Sequence, residues 1–81
     1  MESREKIRQF IESNLDVFED EAYFTDKDNI FELGIVNSLF TVRIIRFVEA
    51  EFNIVMIDED MEIENFNSVD NILKFIRFKR K

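Results

Sequence analysis

Ile7, Phe10, Ile11 and Leu15 recur three or four positions apart, with Arg4, Arg8, Glu12 and Ser13 among them. That period predicts an amphipathic helix over residues 3–15. Ser3 is its expected N-cap, with Glu5 in the first turn, and Val17 and Phe18 are expected to carry the apolar stripe into the next segment. Residues 19–36 lose the period and read as a long loop. Tyr23, Phe24, Ile30, Phe31, Leu33 and Ile35 make it too apolar for a floppy linker, so it is expected to pack its side chains inward. Gly34 suits a turn that other residues tolerate poorly.

The period returns at residues 38–53. Phe40, Ile44, Ile45, Phe47, Val48 and Phe52 share one broad face, and Leu39, Val42, Arg43, Arg46, Glu49 and Ala50 share the other. Residues 54–57, Ile-Val-Met-Ile, read as a buried connector. Asp58, Glu59 and Asp60 start a short helix reaching about Glu64. Phe66 turns inward from a loop, and Asn67 or Ser68 caps a last helix to about Arg77, with Val69, Ile72, Leu73 and Ile76 inward and Phe75 nearby. Residues 78–81 are expected to fray. The pattern predicts an all-α chain with three long helices, one short helix between the second and last, and no sheet. Residues 1–81 form a single domain in this reading.

Composition narrows what such a chain can do. Eighty-one residues bury a modest core and leave little for a deep cleft. With no cysteine and no histidine, the usual thiolate nucleophile, general base and metal ligands are all missing. A self-contained hydrolase or zinc enzyme is therefore not expected. Net charge is −7, unevenly spread: eighteen acidic and six basic residues precede Lys74, which leaves −12 on residues 1–73, while residues 74–81 carry +5. The acidic body argues against nucleic acid. The basic end reads as structural and solubilising, because a helix dipole favours cations at its last turn. No apolar run is long enough to span a bilayer. Met1 to Lys6 lead straight into a helical pattern, so no signal peptide is read there. A cytoplasmic, freestanding monomer with no membrane association is the expectation.

The acidic clusters fail as calcium loops. An EF-hand that starts at Asp26 puts Ile30 and Phe31 at positions 5 and 6, and one that starts at Asp58 puts Ile63 at position 6 and Val69 at position 12. Nothing singles out a carboxylate pair for glycoside chemistry, and a single glycine cannot build a phosphate-binding loop.

Ser38 remains. Asn37-Ser38 before an apolar-periodic stretch can be a plain helix cap. A helix start also suits a phosphate ester, through free N–H groups and the dipole. The stretch Phe31-Glu32-Leu33-Gly34-Ile35-Val36-Asn37-Ser38-Leu39 resembles the phosphopantetheine attachment motif of acyl and peptidyl carrier proteins: an apolar residue, two positions, glycine, two positions, then Asp-Ser-Leu. The resemblance continues through Thr41-Val42, through Glu49 to Ile54, and through Asn65 to Val69 into the last helix, so it covers nearly the whole chain.

The resemblance implies a four-helix carrier bundle that is not itself an enzyme. It implies that a phosphopantetheinyl transferase moves 4′-phosphopantetheine from coenzyme A onto Ser38, and that the arm's thiol then holds an acyl or aminoacyl group as a thioester for loading and processing enzymes. Leu39, Val42, Arg43 and Arg46, beside Asn37 and with Val36 and Phe40 at the edge, are the expected docking face. Four positions depart from the family pattern. Asn37 replaces the usual Asp, Arg43 and Arg46 occupy a face that is usually acidic, and Ile57 replaces a common proline. The arginines favour dedicated partners, as in polyketide or nonribosomal peptide synthesis, over a fatty-acid-type carrier. The rival readings are a small helical interaction module with Ser38 as a cap, and an acidic regulator that binds a basic partner through residues 19–28.

Overall fold

A computed structural model describes residues 2–18, 20 and 22–80. Glu19 and Glu21, part of the acidic stretch singled out above, and Lys81 of the basic end lie outside the described residues. Three α-helices make the body: α1 (Ser3–Ser13), α2 (Leu39–Phe52) and α3 (Val69–Lys79). No strand occurs among the described residues. The fold is all-α, as the periodicity predicts.

Each helix ends for a local reason. Helix α1 stops two residues before its predicted end, where Ser13 Oγ donates to Gln9 O and Asn14 Nδ2 donates to Phe10 O, so side chains finish the last turn. Ser3 lies inside the helix; the residue before it, Glu2, is the N-cap and makes no side-chain capping bond. Helix α2 ends at Asn53, which takes the left-handed conformation at φ 53°, a geometry asparagine tolerates better than most residues. Helix α3 begins at Ser68, whose Oγ accepts from Asn71 N at 3.1 Å. It continues to Lys79, beyond the predicted end at Arg77.

Helices α1 and α2 run antiparallel, with Lys6 paired to Glu51 at one end and Arg43 bonded to Asn14 at the other. Phenylalanines fill the seam between them. Phe10 stacks on Phe47 at 4.3 Å and tilts against Phe40 at 5.7 Å, and Phe31 and Phe52 extend the row at either side. Phe66 is fully buried and meets Phe75 edge-on at 5.1 Å. Burying one such ring is worth roughly 1.5–3 kcal/mol, so these rings supply much of what a chain this short needs.

The long loop is tied at several points, as its apolar content required. Arg4 and Arg8 both donate to the Asp26 carboxylate, at 2.6 and 2.7 Å. The Arg8 guanidinium also lies 4.3 Å from the Phe24 ring centre. Asp26 O accepts from Asp70 N, and Ile30 N donates to Asn67 O, which fixes the loop to the start of α3. Phe24, Ile30 and Ile35 are buried, but Tyr23 and Leu33 are exposed. Phe18 is also exposed, at 77%, while Val17 packs against the core. The Asp16 N–H bonds Ile35 O and holds the chain to the core through Val17, but the apolar stripe does not extend to Phe18.

The connector and the short helix also differ from expectation. Ile54 is buried and Met56 partly so, whereas Val55 and Ile57 face out. Burial alternates along the segment, and Ile57 has extended dihedrals; alternate side chains of extended backbone point to opposite sides. Two single 3-10 turns, Asp58–Asp60 and Ile63–Asn65, stand where one short helix was predicted. The break follows from Asp60, which turns inward. Its Oδ2 accepts from Ile57 N at 3.1 Å and from Lys79 Nζ at 2.6 Å. Lys79 and Phe78 are therefore helical rather than frayed, and Arg80, the C-cap, donates to Phe52 O. The Lys79 hydrogen bond leads in holding the Asp60 carboxyl below its ordinary value; burial opposes it and the Ile57 N–H assists.

Candidate functional site

The stretch before Ser38 is a rigid lead-in. Asn29 Oδ1 accepts from Phe31 N and Glu32 N, and Leu33 N and Gly34 N close a compact turn on Asn29 O and Phe31 O. Gly34 takes φ +74°, which reverses the chain so that Ile35 and Val36 enter the core. Asp16 N bonds Ile35 O at 2.8 Å and pins that strand of loop to the end of α1. Phe40, one turn on, is buried as well. Ser38 thus stands between two buried anchors while being itself exposed.

Asn37, not Ser38, does the capping. Asn37 Oδ1 accepts from Leu39 N at 2.9 Å. Ser38 already has helical dihedrals, φ −63° and ψ −24°, and makes no side-chain capping bond. A helical residue cannot fold its own hydroxyl back over the next turn as an extended N-cap residue does. The hydroxyl is left facing solvent. The reading of Ser38 as a plain cap therefore fails. Three N–H groups of the first turn are engaged: Leu39 N goes to Asn37 Oδ1, Phe40 N to Asn37 O and Thr41 N to Ser38 O. What remains is the positive end of the α2 dipole, with no acidic residue in the first turn to offset it.

A catalytic serine needs a base within hydrogen-bond reach, and the chain contains neither histidine nor cysteine. No group of three or more acidic residues capable of holding a metal ion occurs among the described residues. The geometry is that of an accessible, unactivated hydroxyl on a fixed support.

Three proteins align with this chain almost end to end, each named acyl carrier protein, from the strains Tuc7, 5A and APS of Buchnera aphidicola subsp. Acyrthosiphon pisum. Each is 39% identical over 75 residues, which cover 93% of this chain and 89% of the relative. The chain belongs to the acyl carrier protein family. It is a carrier protein with the all-helical fold expected of one. No family model matches the chain, and no solved structure matches it. No helix among the described residues of this carrier is long and apolar enough to cross a membrane.

The expected docking residues divide. Leu39 and Val42 are 65% and 54% exposed, and Asn37, Arg43 and Arg46 are exposed with them. Val36 and Phe40 are core residues, 4% and 2% exposed, and are not part of a docking edge. Their helical and turn positions put them beside Ser38 in sequence but point them under it. Sequence reading also missed Asn14, whose Oδ1 accepts from Arg43 Nη1 at 3.1 Å across 29 positions. No local signal reports a contact of that span.

Proposed function

We propose that this carrier holds its cargo on a 4′-phosphopantetheine arm joined to Ser38 Oγ. The supporting observation is that Ser38 is exposed and its Oγ makes no capping bond, because Asn37 caps α2 in its place. The residues fit the group. The exposed hydroxyl offers the point of attachment, and the uncompensated start of α2 favours a phosphate diester beside it. Ile35, Val36 and Phe40, all buried, hold the backbone at that point still. When bound, the arm supplies the thiol that carries an acyl or aminoacyl group as a thioester, chemistry this chain's own side chains lack. The chain's residues position the hydroxyl and present it to a phosphopantetheinyl transferase and to loading and processing enzymes. The carrier itself is not a catalyst in this reading, and tethering raises the local concentration of cargo at each partner.

Intact mass after incubation with coenzyme A and a broad-specificity phosphopantetheinyl transferase tests this. One phosphopantetheinyl group should add to the native chain and none to Ser38→Ala. An unaltered native mass, or addition to Ser38→Ala, would refute it. For the pathway, the Arg43 and Arg46 face supports polyketide or nonribosomal peptide synthesis. The relatives' name, acyl carrier protein, fits a fatty-acid-type carrier as well. The mass of cargo on the protein isolated from its host separates them.

A further inference from the structure

We infer that the outer face of α2 docks a partner surface that is acidic, with carboxylates around an apolar pocket. This rests on Ser38 being the attachment point and names the kind of partner that meets it there.

The inference starts from where the chain spends its cations. Carboxylates outnumber basic residues eighteen to eleven, so a basic side chain has many acids to pair with. Arg4, Lys6, Arg8 and Lys79 do pair with carboxylates. Arg43 does not. Its guanidinium is held by Asn14 Oδ1, a neutral oxygen that fixes its position and leaves its charge uncompensated. Arg46, one turn further along the same face, makes no ion pair among the described residues. The dipole explains the cations in the last turn of α3, Arg77 and Lys79. It gives no such support in α2, where Arg43 lies in the half nearer the positive end and Arg46 near the middle, neither in the last turn. Neither pairing within the fold nor helix electrostatics accounts for them.

Leu39 and Val42 stand out of the same face at the Ser38 end, while exposed Glu49 and Ala50 lie at its far end. Buried on contact, Leu39 and Val42 would supply the apolar centre, and the two guanidiniums a polar rim suited to bidentate carboxylates. Basic partner surfaces would be repelled at that rim, which is how such a face selects among enzymes that all need the same serine.

The test uses two versions of one transferase: one with a lysine- and arginine-lined carrier-docking surface, and one with those residues changed to glutamate. kcat/KM for modification of the native carrier is compared with that of R43A/R46A and R43E/R46E, with circular dichroism to show that both variants keep their helices. With the basic enzyme, kcat/KM should rise in the order native, Ala, Glu, by roughly tenfold across the series. With the glutamate version the order should reverse. Should the glutamate version be inactive, the graded rise on the basic enzyme decides alone. Equal rates for all three carriers, or a native carrier that prefers the basic enzyme, would overturn the inference while leaving Ser38 as the attachment point. No mass gain on any of them would remove the attachment reading and the inference with it.

Discussion

Asp60 and Lys79 form the contact whose loss should be felt most for the fewest atoms. Asp60 is 7% exposed, and its Oδ2 takes both the Lys79 ammonium at 2.6 Å and the Ile57 N–H at 3.1 Å. Lys79 is itself largely covered, with 18% of its side chain exposed. Asp60→Ala removes one charge-assisted bond, worth about 1.5–3 kcal/mol, and one backbone bond of roughly 1 kcal/mol. The freed ammonium recovers part of that by reaching water. A net loss of about 2–3 kcal/mol follows, against a total stability of roughly 4–12 kcal/mol for a chain of this length. At about 4–8 °C per kcal/mol for a small domain, Tm should fall by roughly 10–20 °C. Asp60→Asn keeps an acceptor for Ile57 N and loses only the charge, so it should cost less, about 1–2 kcal/mol.

Urea unfolding of the native chain, Asp60→Asn, Lys79→Met and the double variant gives the coupling energy directly. It should be about 1–2 kcal/mol near neutral pH. The native Asp60 carboxyl titrates below its ordinary value, so the folded state binds fewer protons there than the unfolded state. The contribution is therefore fully present above the unfolded value, about 3.9, and is lost as pH falls through the lower folded value. Repeating the cycle toward pH 3 and below should shrink the coupling progressively. Zero coupling near neutral pH would show that the pair is a surface contact of little weight, and a coupling that does not diminish in acid would show that the Asp60 charge is not what sustains it.

Two further substitutions probe the support under Ser38. Asn37→Ala should cost about 1 kcal/mol by freeing Leu39 N, whereas Asn37→Asp should keep that bond and add about 0.3–1 kcal/mol of dipole stabilisation; urea midpoints distinguish them. Gly34→Ala should destabilise by about 1–2 kcal/mol, because a Cβ there meets nothing within 4 Å and the only cost is the left-handed φ of +74°. A Gly34→Ala midpoint equal to the native one would show that the turn relaxes freely.

The helices were legible in the sequence because each buries one stripe, and a stripe at helical spacing can be read without knowing what covers it. The inward residues of α2 and α3 fell where the wheel put them, and so did the outward face of Leu39, Val42, Arg43 and Arg46. The segments without a period were read less well. Phe18, Tyr23, Val55 and Ile57 are as apolar as their buried neighbours, and in extended or looped chain composition alone does not say which way a side chain turns. The short helix broke in two because Asp60 is drawn to Lys79, nineteen positions away, and spacing within residues 58–64 carries no sign of that partner.

At the candidate site the division is sharper. By itself the sequence determined that a serine follows a glycine turn and opens an amphipathic helix, that two arginines lie on the outer face of that helix, and that no histidine or cysteine is at hand. These follow from residue order and period, which are local. Tertiary structure decided that Asn37 takes the cap and leaves Ser38 unengaged, that Val36 and Phe40 sink beneath it, and that Arg43 is steadied by Asn14. The Asn37 bond spans only two positions and Phe40 already lay on the inward stripe, but the burial of Val36 and the Asn14 contact depend on how distant segments close over one another, and a partner oxygen supplied from across the fold leaves no trace in neighbouring residues.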